Sequence, residues 1–255
     1  MLQRRWSLRL AHQRVTALAR LSASPHLGIG SPPWPQPVVL SLAAAYLLLW
    51  IVTAVNPHDR FDWLLENLLV FVLTGSLVVT YRRFAFSTAS YVSILAFLSF
   101  HAVGAFYTYS ETPLGFWLQN LLGLARNHYD RLVHFAFGLL FAVPVRELLV
   151  HVTGLHGARA SVAAFVCVLA LSTGYELVEW WVAAIVSPEA AYAYLGTQGD
   201  VFDAQKDTTL AICGAALALV AVAGVHAVSR HTVRRAHRTA NLAHQAKSRT
   251  RRRRT

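Results

Sequence analysis

The chain has 255 residues, of which 55% are hydrophobic and 14% charged, and its formal net charge is +11. The hydrophobic residues are gathered into long runs, whereas a soluble domain spreads its charges more evenly along the chain. The composition therefore excludes an ordinary soluble domain and indicates a polytopic membrane protein.

Six apolar runs are long enough, or nearly so, to cross a hydrocarbon core about 30 Å thick as helices. In chain order they are Val38 to Val55, Trp63 to Thr80, Tyr91 to Tyr109, Arg131 to Val150, Val162 to Val186 and Thr208 to Val228. We predict an all-α bundle of about six transmembrane helices. The predicted organisation is a basic leader and Pro-rich linker at residues 1–37, a membrane domain at 38–228 and a polybasic tail at 229–255.

Basic residues are concentrated at both ends of the chain and in every second connection. Of the 23 Lys and Arg residues, 19 precede the first run, follow the sixth, or lie near the connections after the second and fourth runs. The positive-inside rule makes this side cytoplasmic, so we predict that both termini are cytoplasmic.

The polybasic tail directly follows the last run and suits anionic lipid headgroups, at about 1 kcal/mol per basic residue near the surface. The tail has no interleaved aromatic residues and no recognition fold, so it offers nucleic acids only non-specific attraction. We therefore predict membrane lipids as its partners and no specific nucleic acid.

The acidic residues are distributed in the opposite way. Eleven of the twelve, all except Glu147, fall in the predicted external loops or in the outer halves of the runs. Topology does not require this, because acids contribute little to the positive-inside rule. Near the predicted cytoplasmic end of the fourth run, we predict that Arg146 and Glu147 are structural anchors, bonded to each other or to neighbouring spans.

Ionisable and polar residues from five of the runs and their mouths meet at the external end. Charge in hydrocarbon is costly and is usually functional or paired, so we predict one outward-facing acidic and histidine pocket. Its predicted members are Glu66, His101, Tyr107, Tyr109, Asp130, Arg131, His134, Tyr175, Glu176, Glu179, Gln198, Asp200, Asp203 and Asp207.

The spacing of these residues indicates which of them share a helix face. In NHYDRLVHFAFG, Asp130 and His134 are four residues apart, so the carboxylate can orient the imidazole. In STGYELVEWW, Tyr175, Glu176 and Glu179 can face one cavity. We expect His134 to lie within a side chain's reach of Glu176 or Asp203.

The segment LGTQGDVFDAQKDTT leads into the sixth run. Asp200, Asp203 and Asp207 step by three and four, so they form one acidic stripe if the segment is helical. The glycines indicate a sharp turn that brings the stripe back over the bundle.

Each element also has a purely structural interpretation. Asp130 and Arg131 are explicable as a helix cap and interface anchor. The aspartate stripe is explicable as a solvated face, and His101 as a hydrogen-bonded interhelical histidine. Carboxylates inside the spans at Glu66, Glu176 and Glu179 are harder to explain in this way.

A family resemblance rests on an ordered series of short motifs. HAVGAFYTY, YDRLVHFAFG, the Arg-Glu of VPVREL, YELVEWW and GTQGDVFDAQKD together resemble the YjdF-like family of bacterial inner-membrane proteins, a family of unknown function, over roughly residues 38 to 228. YDRLVHF, YELVE and GDVFDAQKD are also similar to VanZ-like membrane proteins, linked in some members to glycopeptide-antibiotic resistance. The resemblance implies a multi-pass protein of the bacterial inner membrane.

The first functional hypothesis is a membrane enzyme acting on a lipid headgroup or polyprenyl-linked envelope precursor at the external leaflet. Its candidate catalytic residues are His134, Asp130, Arg131, Glu176 and Glu179. One version binds a divalent metal, Zn, Mn or Fe, through a mixed nitrogen and oxygen set: His101, His134, Glu176, Glu179 and Asp203. In the version without metal, His134 is a general base and Arg131 holds a phosphate.

Two other classes of function stay open at this point. Glu176, Glu179 and His101 could form a proton or cation relay in a transporter. The same pocket could instead bind lipids or partner proteins without catalysis.

Overall fold

The computed structural model describes the backbone of residues 37–252 and the side chains of residues 37–232 and 234. The predicted leader before Pro37 and most side chains of the predicted tail lie outside the described residues. One compact unit comprises the described residues 37–219. In the second unit, the described residues after Leu219 are helical.

The described residues form eight α-helices and no strand. They are α1 (Pro37–Val55), α2 (Arg60–Thr80), α3 (Thr88–Phe106), α4 (Pro113–Leu122), α5 (Tyr129–Thr153), α6 (Gly157–Ala183), α7 (Pro188–Leu195) and α8 (Asp203–Arg252). Six are long and apolar enough to cross a membrane: α1, α2, α3, α5, α6 and the Asp203–Thr232 part of α8. The predicted all-α architecture with six spans is therefore confirmed. The short helices α4 and α7 lie in connections and were not predicted.

Local sequence signals fix several helix ends. Asp59 caps α2 by accepting hydrogen bonds from the backbone N–H groups of Phe61 and Asp62. The Ser87 hydroxyl caps α3 by accepting a hydrogen bond from the Ser90 backbone N–H. Such caps satisfy donors that the first turn leaves without intrahelical partners. Gly154 caps the C-terminus of α5, and its φ of 71° is the left-handed conformation that glycine tolerates best.

Small residues let α5 and α8 approach closely. A Cβ added to Gly138 would lie 1.7 Å from the Ala211 carbonyl oxygen, and one added to Gly214 would lie 2.2 Å from the Phe135 carbonyl oxygen. Small residues at such contacts are typical of helices packed in membranes. This contact lies one turn from both His134 and Asp207, so it sets the distance between those two side chains.

The long helices alternate in direction, so six helix ends lie at one end of the bundle. We call it the polar end; it contains the starts of α2, α5 and α8 and the ends of α1, α3 and α6. The His58 N–H donates to the Phe106 carbonyl 3.0 Å away, which ties the start of α2 to the end of α3. An apolar core that includes Ile94, Leu98 and Val133 packs beside the polar end.

The opposite end of the bundle carries a separate polar anchor. Glu147 accepts hydrogen bonds from the Ser87 N–H at 2.6 Å and from the Ser90 hydroxyl at 2.5 Å. Arg146 Nε donates to the Ser161 hydroxyl at 3.2 Å. The prediction that these two residues bond to neighbouring spans is confirmed.

Candidate functional site

His134 lies at the centre of the polar end. Its Nε2 is 3.5 Å from Asp130 Oδ1, one turn earlier on α5, and 3.6 Å from Glu176 Oε1 on α6. The imidazole is buried. The expected proximity of His134 to Glu176 is confirmed, and two carboxylates flank one ring nitrogen.

Asp207 on α8 brings a third carboxylate to the same histidine. Among the described residues, Asp130, His134 and Asp207 form the group in which each side chain offers one ligand atom within 4.8 Å of the others. Asp207 is 1% exposed. From the sequence, Asp207 was predicted to line the pocket but was not among the five predicted metal ligands.

Two arginines neutralise most of the predicted aspartate stripe. Arg126 Nη2 donates to Asp203 Oδ1 at 2.6 Å and Arg126 Nη1 donates to the Thr197 carbonyl. Arg131 Nη2 bonds to Asp200 and lies 3.3 Å from Asp203 Oδ1. These carboxylates hold the Arg131 guanidinium, and its role in holding a phosphate stays a prediction.

Asp200 lies in the turn before α8, so the stripe predicted for a helical lead-in is only partly helical. The Lys206 ammonium, 2.6 Å away, and the Phe202 backbone N–H lead the contacts that hold the pKa of the Asp200 carboxyl well below its usual range. On the other side of Arg131, His128 Nδ1 lies 3.0 Å from Nη1. Partial burial and then Arg131 lower the pKa of His128.

Gln198 has a positioning role within the predicted pocket. Its side chain accepts from the Asn127 N–H at 3.1 Å and donates to the Asn127 carbonyl at 2.9 Å. Gly196, Gln198 and Gly199 have positive φ angles of 57°, 49° and 85°, so the sharp turn expected here is confirmed. The turn fixes the start of α8 against the start of α5.

Two buried residues in this layer, Arg126 and Asn127, were not predicted from the sequence. Arg126 pairs with Asp203, while Asn127 Oδ1 accepts from the Tyr129 N–H at 3.0 Å and so orders the start of α5. The available signal was the segment RNHYD, in which a base and an amide directly precede the fourth span.

His101 is an interhelical hydrogen-bonded histidine. Its Nε2 lies 3.2 Å from the Glu66 carbonyl oxygen on α2, and its Nδ1 lies 2.6 Å from the Tyr109 hydroxyl. Both ring nitrogens are therefore engaged. Burial raises the pKa of the Tyr109 hydroxyl well above its usual value. The structural interpretation of His101 is the one that the geometry supports.

The five-residue metal set expected from the sequence is not assembled within the part of the chain that the structure describes. His101 bonds to Glu66 and Tyr109, and Asp203 is paired with Arg126. Only His134 of that set belongs to the compact group with Asp130 and Asp207. The physical reason is depth: Asp203 begins α8 at the level of the arginines, whereas Asp207 lies one turn deeper.

The other predicted pocket residues divide between two positions. Glu66 Oε2 accepts a hydrogen bond of 2.9 Å from the Tyr175 hydroxyl, which links α2 to α6. Tyr107 instead packs on the His58 ring, with centroids 4.8 Å apart. Tyr107 therefore belongs to the contact between α2 and α3.

Two cavities meet at the carboxylates beside His134. The larger, about 780 Å³, lies between α6 and the start of α8; its polar lining includes Glu176, Asp203 and Asp207. The smaller, about 190 Å³, is lined by His134 and mainly by apolar side chains such as Leu73, Phe97, Phe137, Phe141 and Leu171. Asp130 and Glu179 line both cavities.

Comparisons with known proteins identify the family. The family described as "Predicted membrane protein (DUF2238)" matches residues 38–228. The inner membrane protein YjdF of Escherichia coli (strain K12) is 40% identical over 194 residues, which cover 75% of this chain and 92% of that protein. No solved structure matches the chain. The chain belongs to this YjdF-containing family and is a multi-pass inner-membrane protein.

Proposed function

We propose that this protein is a membrane-embedded enzyme that transfers or hydrolyses the headgroup of an amphiphilic lipid or polyprenyl-linked envelope precursor. One observation carries the proposal: a buried histidine flanked by two carboxylates lines an apolar cavity, next to a larger cavity that those two carboxylates also line. Catalytic sites combine such convergent ionisable groups with a shaped cavity. The histidine is then next to the bond that joins headgroup to chain.

The two cavities match the two parts of an amphiphile. The 190 Å³ cavity takes the first segment of an apolar chain among Leu73, Phe97 and Phe141. The 780 Å³ cavity takes the headgroup between α6 and α8. Apolar burial supplies affinity, and a few polar groups set orientation.

His134 has the surroundings of a general acid–base group. It takes a proton from a water or hydroxyl acceptor, whose oxygen attacks the headgroup ester, and returns that proton to the leaving oxygen. Asp130 Oδ1 and Glu176 Oε1, at 3.5 and 3.6 Å, stabilise the imidazolium that forms in between. A positioned acid–base group contributes about 10²–10⁴ in rate.

The charge of the pocket restricts the headgroup. Arg126 and Arg131 are paired with Asp200 and Asp203, whereas Asp130, Glu176 and Glu179 line the cavity without an arginine ion pair among the described residues. A negative cavity attracts a cationic headgroup, or an anionic one neutralised by a bound cation. A bare phosphate is disfavoured.

Lipid profiling of a strain that lacks the protein tests the proposal. We expect one amphiphile to accumulate and to return to its normal level when the wild-type protein or Glu189→Gln is supplied. Glu189 is an exposed acid outside the pocket. His134→Ala should not restore the profile. An unchanged profile, or full restoration by His134→Ala, would contradict an enzyme and favour a transporter or a lipid-binding protein.

We further propose that the polar end faces the external side and both termini face the cytoplasm. The excess of bases at the termini supports this orientation, and the basic tail then meets anionic headgroups of the cytoplasmic leaflet. A fluorescent protein fused after Thr255 should fluoresce, and alkaline phosphatase inserted beside Glu189 should be active. The reverse pattern would overturn the orientation.

A further inference from the structure

We infer that Asp130, His134 and Asp207 bind one divalent cation, with Glu176 as a fourth donor. The three residues come from α5 and α8, and their ligand atoms lie within 4.8 Å of one another. This set differs from the one expected from the sequence, because Asp130 and Asp207 take the place of His101, Glu179 and Asp203. The inference deepens the proposed function by giving its pocket a cofactor, but cation binding can be measured without any reaction.

Two of the distances around His134 suit a coordination sphere, and Asp207 lies within 4.8 Å of the other two ligand atoms. Donors in a tetrahedron with bonds of about 2.1 Å are about 3.4 Å apart. His134 Nε2 lies 3.5 Å from Asp130 Oδ1 and 3.6 Å from Glu176 Oε1. These separations are too long for hydrogen bonds of ordinary strength, whereas they fit atoms that share a small ion.

Unpartnered oxygens give an independent indication of a ligand. Asp207 is 1% exposed, and its Oδ1 has no hydrogen-bond partner among the described residues; neither has the buried Oε1 of Glu176. The nearest cationic atom to Asp207 Oδ1 is Arg131 Nε, 3.9 Å away. Buried polar atoms nearly always have partners, and a bound ion is one explanation when they do not.

The donor chemistry indicates which cations fit. One imidazole and two or three carboxylates form a mixed nitrogen and oxygen set, which suits Mn²⁺, Fe²⁺ or Zn²⁺ better than Mg²⁺ or Ca²⁺. A divalent cation would also offset the mutual repulsion of Asp130, Glu176 and Asp207. It would make the cavity acceptable to an anionic headgroup.

The same contacts predict which residues matter for affinity. Asp207 and His134 are buried and supply donors from two helices, so loss of either leaves an incomplete set. Even changes around the first layer of ligands cost roughly 10–100-fold in metal affinity. We expect Asp207→Asn and His134→Ala each to weaken binding by at least about tenfold.

The test is a titration of the purified full-length protein in lipid nanodiscs after removal of metals with a chelator. Mn²⁺ and Zn²⁺ are added separately, and bound ion is measured by electron paramagnetic resonance for Mn²⁺ and by elemental analysis for Zn²⁺. We expect the wild type and Glu189→Gln to bind one more equivalent of at least one ion than Asp207→Asn or His134→Ala. That ion should raise the unfolding temperature of the wild type and Glu189→Gln, but not that of Asp207→Asn or His134→Ala.

Stability without metal separates loss of ligand from loss of fold. Metal-free Asp207→Asn should unfold at the same temperature as metal-free wild type or higher, since one of several repelling carboxylates is removed. Equal binding by wild type and Asp207→Asn, or no saturable binding of either ion, would overturn the inference. Cation binding without turnover of any amphiphile would support the cation site and contradict the proposed function. Turnover by metal-free Asp207→Asn would support the proposed function and show that the cation is not needed for it.

Discussion

His134 Nε2 lies 3.6 Å from Glu176 Oε1, and this pair joins the first turns of α5 to the last turns of α6 at the boundary of two cavities. The relationship follows from two local patterns that are 42 positions apart in the chain. It also defines where chemistry is expected.

The first prediction concerns the carboxylate beside His134. Glu176→Gln keeps the shape of the side chain but removes the charge that stabilises an imidazolium 3.6 Å away. We expect turnover of the accumulated amphiphile to fall, by no more than the factor of about 10²–10⁴ that the acid–base group itself contributes, with the unfolding temperature maintained. Glu111→Gln, at an exposed position outside the pocket, is the matched control. Unchanged turnover in Glu176→Gln would exclude its role.

The second prediction concerns the apolar cavity. Ser172 lines the cavity, is buried, and its hydroxyl has no hydrogen-bond partner in the described part of the chain. Ser172→Val removes that polar atom and fills space, so we expect an increase of about 1 kcal/mol in the free energy of unfolding. The same filling should raise KM for long-chain substrates. Ser172→Ala, which removes the hydroxyl without filling the cavity, should stabilise the protein and leave KM unchanged. An equal KM in both variants would show that the chain binds elsewhere.

The third prediction concerns the contact between α5 and α8. An added Cβ at Gly138 would lie 1.7 Å from a backbone oxygen, so Gly138→Ala should force the helices apart and cost about 1–3 kcal/mol. Separation would also move Asp207 away from His134 and lower cation affinity. In Gly174→Ala the added methyl meets open space, and replacing a helical glycine should not destabilise. Thermal unfolding of the two variants in detergent makes the comparison; equal stability would contradict the close packing.

The fourth prediction is a pH dependence at the turn before α8. Lys206 and the Phe202 N–H lower the pKa of the folded Asp200 carboxyl, so its contribution to stability is present above the unfolded pKa, about 3.9, and is lost as pH falls through the lower folded pKa. Asp200→Asn should therefore lower the unfolding temperature at pH 7, and the difference from wild type should shrink below about pH 4. A difference that stays constant down to pH 3 would show that charge is not the cause.

Much of the fold was predictable because hydrophobic length and charge bias carry the information. The six runs each overlap the spans of the structure with ends that differ by a few residues, and the up-and-down order follows from alternating short connections. The convergence of Glu66, Asp130 and Glu176 at one end could be predicted for the same reason. The similarity to VanZ-like proteins stays a prediction.

The partners within the site depended on features that periodicity does not encode. Positive φ at Gly196, Gln198 and Gly199 sets where α8 begins, and that start decides that Asp203 meets Arg126 while Asp207 meets His134. Each residue added before a helix start rotates the following side chains by about 100°. Spacing alone therefore could not predict which aspartate lies beside His134.

His101 shows the same limit from another side. Its sequence position, inside a span and near other ionisable residues, fits a ligand and an interhelical bond equally well. Tyr109 favours the interhelical bond, because it lies in the turn after α3 with φ of 53° and directs its hydroxyl to the His101 ring. Only tertiary structure places that hydroxyl.

Turnover by the purified protein is the measurement that tests the central proposal most directly. The amphiphile that accumulates in the deletion strain is incorporated into proteoliposomes with wild-type protein, His134→Ala or Glu189→Gln, and product release is followed by mass spectrometry. The account predicts headgroup release by wild type and Glu189→Gln, and a loss of about 10²–10⁴ in His134→Ala. Transport of the intact amphiphile without a chemical change, or equal turnover by His134→Ala, would contradict it.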